Sequence, residues 1–112
     1  MRGFILKNID KQALDVECSI EKALHVIGGK WTFLILRELF NGTKRFSELQ
    51  KSIAGISPKA LTDALRHLES HQIVTRIVYP TVPVTVEYTV TGKGQALHPM
   101  LKEMKLWGAK WV

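Results

Sequence analysis

The sequence predicts a mainly α-helical domain with one small β-hairpin, an α+β class. Three features predict it. Most of the chain carries apolar residues at helical spacing, one stretch near residue 84 alternates apolar and polar residues instead, and short breaks containing Gly, Pro or Asn separate these segments. A length of 112 residues fits one domain. A composition of 46% hydrophobic and 23% charged residues is globular.

The elements follow in order. Residues 1–17 mix apolar and charged residues without clear caps and read as an N-terminal arm or helix, separate from a body spanning 18–112. Ser19 reads as an N-cap for a first helix, with Ile20, Ala23, Leu24 and Ile27 at helical spacing and Gly28-Gly29 as its stop. A second helix covers about Lys30–Phe40, with Trp31, Leu34, Ile35 and Leu39 facing inward and Asn41-Gly42 ending it. Ser47 and Gln50 have the spacing of a capping box, which opens a short third helix ending near Ile53. After a turn at Ala54-Gly55-Ile56, Ser57 as N-cap and Pro58 at the first helical position open a fourth helix to about His71, with Leu61, Ala64, Leu65 and Leu68 as its apolar stripe. The period then changes. Ile73–Tyr79 is β-rich, and Val84, Val86, Tyr88 and Val90 alternate with Thr85, Glu87 and Thr89, so Ile73–Val90 reads as a hairpin with a proline-stiffened tip. Thr91 caps a last helix of about residues 91–111. Two short helices joined by a glycine-containing turn and followed by a hairpin give the winged helix-turn-helix order.

Composition narrows the function. The longest apolar runs, such as Phe33-Leu34-Ile35-Leu36, are far short of the roughly 20 residues of a membrane span. The N-terminus lacks the apolar core and cleavage site of a signal peptide, so a cytoplasmic location is expected. One cysteine, Cys18, excludes an intrachain disulfide and a cysteine-rich zinc site. No nucleophile motif, phosphate-binding glycine loop or carboxylate pair supports catalysis, and no cofactor is implied. The net charge of +6 is unevenly placed: residues 1–42 carry six Lys/Arg against five Asp/Glu, and residues 43–112 carry ten against five. That balance points to a polyanionic partner.

On the fourth helix Lys59, Thr62, Asp63, Arg66 and Ser70 share the face opposite the leucine stripe, a set of donors and acceptors suited to base edges in a major groove. Lys44 and Arg45 before the third helix, Ser47 and Lys51 on it, and Arg76 in the hairpin are placed to meet phosphates around a docked helix. Ser57 and Pro58 begin the same recognition helix. The tip at Tyr79-Pro80 has two open uses, contact with DNA or rigidity of the loop alone. Leu101, Met104, Trp107 and Trp111 are too many large apolar groups for one small core, which points to a homodimer built through the terminal helix. Cys18, read as lying at the start of the first helix, is either a sensing thiol answering an oxidant or other small-molecule effector, or a small buried hydrophobe. His67 and His71 stand four apart, but no third ligand is near in sequence, so no metal site is expected. Two readings of function stay open at this point: a dimeric sequence-specific regulator on double-stranded DNA, and a winged protein-interaction module.

A series of motifs in order resembles the HxlR-type family of bacterial transcription regulators. They are Cys18-Ser19-Ile20-Glu21-Lys22-Ala23-Leu24, Ile27-Gly28-Gly29-Lys30-Trp31-Thr32, Leu36-Arg37-Glu38-Leu39, Lys44-Arg45-Phe46-Ser47-Glu48-Leu49, Gly55-Ile56-Ser57-Pro58-Lys59, the hairpin Val78-Tyr79-Pro80 to Val86-Glu87-Tyr88, and Thr91-Gly92-Lys93-Gly94. The resemblance covers about Cys18 to Gly108. It implies a winged helix fold, a homodimer formed by terminal helices, and operator binding through the fourth helix and the wing. It also implies that the position of Cys18 senses oxidants, aldehydes or quinones in some members. Ser19 stands where the family pattern has Pro.

Overall fold

The computed structural model describes residues 18–112. The expected arm at 1–17 lies outside the described residues. The order is α1 (residues 18–27), α2 (Lys30–Leu39), β1 (Lys44–Arg45), α3 (Phe46–Ser52), α4 (Pro58–Ser70), β2 (Val74–Tyr79), β3 (Thr85–Val90), α5 (Gly92–Gln95) and α6 (His98–Trp111). The three strands form one antiparallel sheet in the order β1-β3-β2.

The core lies where α2, α3 and α4 meet the sheet. Ile35, Leu36, Leu49, Ile53, Leu61, Leu65, Leu68 and Ile73 are almost completely buried there. Full burial of such a side chain contributes about 1.5–3 kcal/mol, so this cluster carries most of the driving force for folding. α4 is held at its start as expected: Ser57 Oγ accepts from the Ala60 N–H at 3.1 Å and Pro58 occupies the first turn. Gly28, at φ +70°, ends α1 by donating its N–H to Leu24 O at 2.9 Å, a position that disfavours side chains. The buried Thr32 hydroxyl lies against the carbonyls of Ile27 and Gly29, which joins α2 to the end of α1.

Several expectations are corrected. Residues 18 and 19 are already helical, so Ser19 is not the N-cap of α1 and Cys18 does not precede it. On α1, Ile27 is buried but Ile20 and Leu24 are more than half exposed. On α2 the buried face is Thr32, Ile35, Leu36 and Leu39, while Trp31 and Leu34 are half-buried. The helix α3 starts at Phe46, with Arg45 as N-cap and its N–H donating to Glu48 Oε1 at 3.0 Å, not at Ser47. The cause is the strand β1, which the sequence did not reveal: pairing Lys44 with Tyr88 and Arg45 with Glu87 holds the backbone extended up to Arg45 and lets the helix begin at once. The last helix is two. Thr91 does cap α5, accepting from Gly94 N at 3.1 Å, but the chain breaks at Ala96-Leu97. Pro99 has no N–H for the carbonyl of Gln95 and disfavours a continuous helix through its neighbours, so α6 starts anew at His98.

Candidate nucleic-acid interface

The leucine stripe fixes which face of α4 looks outward. With Leu61, Leu65 and Leu68 buried, Lys59, Asp63, Arg66 and Ser70 are exposed and Thr62 is half-buried, so the polar face read from the sequence is one face in space. Not all of it is equally available. Lys59 Nζ and Asp63 Oδ2 are 3.1 Å apart, an exposed pair one turn along the helix, and the Ser57 hydroxyl is used as the cap. Arg66 makes no ion pair among the described residues.

Beside Arg66 the helix meets the sheet across a cleft of about 510 Å³. Phe46, Leu65, Val86 and Tyr88 floor it, and Thr62, Arg66, Glu69 and Arg76 form its polar rim. The sequence placed Arg66 and Arg76 in separate elements, and the fold brings them to one opening. Register explains the position of Arg76. Arg76 and Lys44 both pair with Tyr88, from β2 and β1, and residues directly opposite share a face of the sheet. Arg45 and Ile77 both pair with Glu87, so Arg45 lies on the other face, away from Arg76. Glu69 was not singled out from the sequence, and only its place one turn beyond Leu65 could have marked it.

The wing tip is exposed. Tyr79 is 40% exposed, Val82 fully so, and Pro80 and Val84 are open as well. Thr81 orders it, donating its N–H to Tyr79 O at 2.8 Å and its hydroxyl to Pro83 O at 2.8 Å. Ser47 is exposed in the first turn of α3.

A second cluster lies at the other end of α4. The rings of His25, His67 and His71 are 4.8–5.8 Å apart, so His25, distant in sequence, does stand beside the other two. His67 Nε2 lies 2.9 Å from His25 O and 3.0 Å from Val26 O, which makes it an N–H donor to the end of α1. Among the described residues no set of three His, Cys, Asp or Glu is arranged to hold a metal. Desolvation and the nearby His67, His25 and Lys93 hold the imidazole of His71 below its ordinary value of 6.5. Cys18 is exposed at a shallow cleft that includes Glu21, His25 and His71.

The surface of α6 is divided. Met104, Trp107 and Trp111 are 53%, 63% and 65% exposed, and Met100 extends the same stripe. Leu101, expected among them, is 3% exposed and belongs to the chain's own core, because it lies about a quarter turn round the helix from the stripe and packs inward.

The HxlR-like helix-turn-helix family matches residues 26–112. The chain belongs to this family. An HTH-type transcriptional regulator of Synechocystis sp., sll1512, is 41% identical over 95 residues, which is 85% of this chain and 70% of that protein. The redox regulator HypR in its reduced form is similar in structure, with a TM-score of 0.79 and 41% identity over 82% of this chain and 91% of the other. The reduced form of the transcriptional regulator YodB from Bacillus subtilis has a TM-score of 0.75 and 41% identity, over 83% of this chain and 91% of that one. This HxlR-like chain is thus a winged helix-turn-helix, DNA-binding transcription regulator. No helix among the described residues is long and apolar enough to cross a membrane.

Proposed function

We propose that the chain acts in the cytoplasm, without catalysis, as a homodimer that reads a two-fold symmetric operator. In this reading α4 enters the major groove, Arg66 and Lys59 meet base edges with Thr62 and Asp63 beside them, and the wing lies on the flanking backbone or minor groove through Arg76, Tyr79 and Pro80. Lys44, Arg45 and Ser47 meet phosphates, and Ser57 and Pro58 set the start of the reading helix. The supporting observation is the shared opening that places Arg66 of α4 and Arg76 of the wing on one rim. Two such units, joined through α6 and the exposed face of α1, would present their helices to grooves about 34 Å apart.

Selection of duplexes from a random pool defines the site, and binding at fixed salt then tests the assignment. Arg66→Ala and Lys59→Ala are expected to weaken operator binding about tenfold or more and to leave binding to random duplex nearly unchanged. Lys44→Ala should weaken both equally and reduce the salt slope by about one. Operator affinity unaffected by the first two substitutions would overturn the placement of α4.

A second reading rests on the exposure of Cys18 and on the likeness to the redox regulator HypR. In it the thiol of Cys18 responds to an oxidant or aldehyde and shifts the DNA-bound population. Release of the operator by oxidant in the parent but not in Cys18→Ser supports this reading; equal release in both removes it.

A further inference from the structure

We propose that the cleft between α2 and α6 is a binding site for a small aromatic carboxylate. The cleft is about 310 Å³, the lower end of the range of ligand pockets and enough for one ring or two fused rings. Its apolar surfaces are mostly aromatic, with Leu101 beside them: Phe33 and Phe40 come from α2 and its end, and the ring of His98 stacks on Phe40 at 4.3 Å with planes 21° apart. Its charged residues all carry one sign. Arg37 comes from α2 and Lys102 and Lys105 from α6, and no carboxylate lines it. Arg37 shares its guanidinium with Glu38 at 3.2 Å, whereas Lys102 and Lys105 make no ion pair among the described residues. With Arg37 met by Glu38, the ammonium groups of Lys102 and Lys105 leave the opening with an excess of positive charge that an anion would neutralise. The ring faces favour stacking and the cations favour a carboxylate. A planar aromatic acid satisfies both.

The site stays open in a dimer formed through the apolar stripe. At about 100° per residue, Met100, Met104, Trp107 and Trp111 share one narrow arc of α6, and His98, Lys102 and Lys105 are centred roughly 155° further round. The cleft therefore lies beside the dimer face, not under it. Its α2 wall packs on α4, so an occupant would touch the support of the reading helix.

The test uses the full chain without DNA, so its failure and the failure of the DNA reading are distinguishable. Titration calorimetry with 1-naphthoate is expected to show one saturable site per chain. The neutral 1-naphthalenemethanol and the non-aromatic cyclohexanecarboxylate should each bind several-fold more weakly. Each of Lys102→Gln and Lys105→Gln should weaken 1-naphthoate about two- to fivefold, and the double variant about tenfold, given the strength of exposed ion pairs. Both lysines are exposed, so the variants retain the fold, which circular dichroism checks. Absence of saturable binding, or equal affinity in the double variant, would overturn the proposal. So would a double variant that loses affinity for random duplex while keeping that for 1-naphthoate, since the cations would then be phosphate contacts.

Discussion

Among the described glycines, Gly94 has the least room for an added methyl group. It sits in α5, where the base of the wing passes. A Cβ there would lie 2.4 Å from Ile73 O, 2.5 Å from Val90 Cγ1 and 3.1 Å from Ile73 Cγ2. The nearest atom is backbone and cannot turn aside as a side-chain end can. That carbonyl is also in use, accepting from the Thr91 N–H at 3.0 Å and from the Thr91 hydroxyl at 3.2 Å. Gly94→Ala must therefore push β2 from α5 or break these bonds. Overpacking of this kind costs about 1–3 kcal/mol, a large fraction of a typical domain's stability. For a domain of this size that is a fall in Tm of roughly 4–12 °C. Gly108→Ala is the comparison: nothing lies within 4 Å of its Cβ and it sits inside α6, so a gain of about 0.5–1 kcal/mol is expected from helix propensity. Thermal unfolding followed by circular dichroism measures both. A Gly94→Ala protein melting at or above the parent would refute the close approach of α5 to the wing.

Two further outcomes are expected. Met104→Glu with Trp107→Glu places charge on the exposed stripe of α6, so a dimer built there should sediment as a monomer with its helical content intact; an unchanged dimer would move the interface elsewhere. Because His71 takes up its proton less readily in the folded chain than its ordinary value of 6.5 allows, the unfolded chain binds more protons just below that pH, and stability should rise with pH there and be lost on acidification. His71→Gln should make that decline shallower between about pH 6.5 and 5, and a denaturant midpoint with the same pH slope in both proteins would contradict it.

The sequence made the local features legible and missed those that depend on distant pairing. Ser57-Pro58 marked the start of α4 because a cap and a proline act within one turn, and the leucine stripe of α4 is buried as its spacing predicts. Ser47 misled because Arg45 and Ser47 both stand three residues before a suitable partner, Glu48 or Gln50. The choice between them is made by Tyr88 and Glu87, some 40 residues away. Leu101 misled because its helix has two apolar sides and the sequence does not say which one its own core will take. On the candidate interface, periodicity identified Arg66 and the hairpin identified Arg76, but only the packing of α4 on the sheet sets them at one opening with Glu69. His25 stands some 40 residues from His67 along the chain, and only the fold sets it against His67 and His71.

The hydrogen bonds from His67 to the last carbonyls of α1 have a consequence for how an operator is chosen. They set the direction of α4 against α1, a helix with its own exposed apolar face, as well as against the core. In a pair of chains joined through that face, the two reading helices inherit their separation from this junction. A substitution that spares every base-contacting residue but pivots α4 at His67 would change the gap between half-sites that the pair can bridge. Selection among operators would then depend on span as much as on letters, with His67 acting as the gauge.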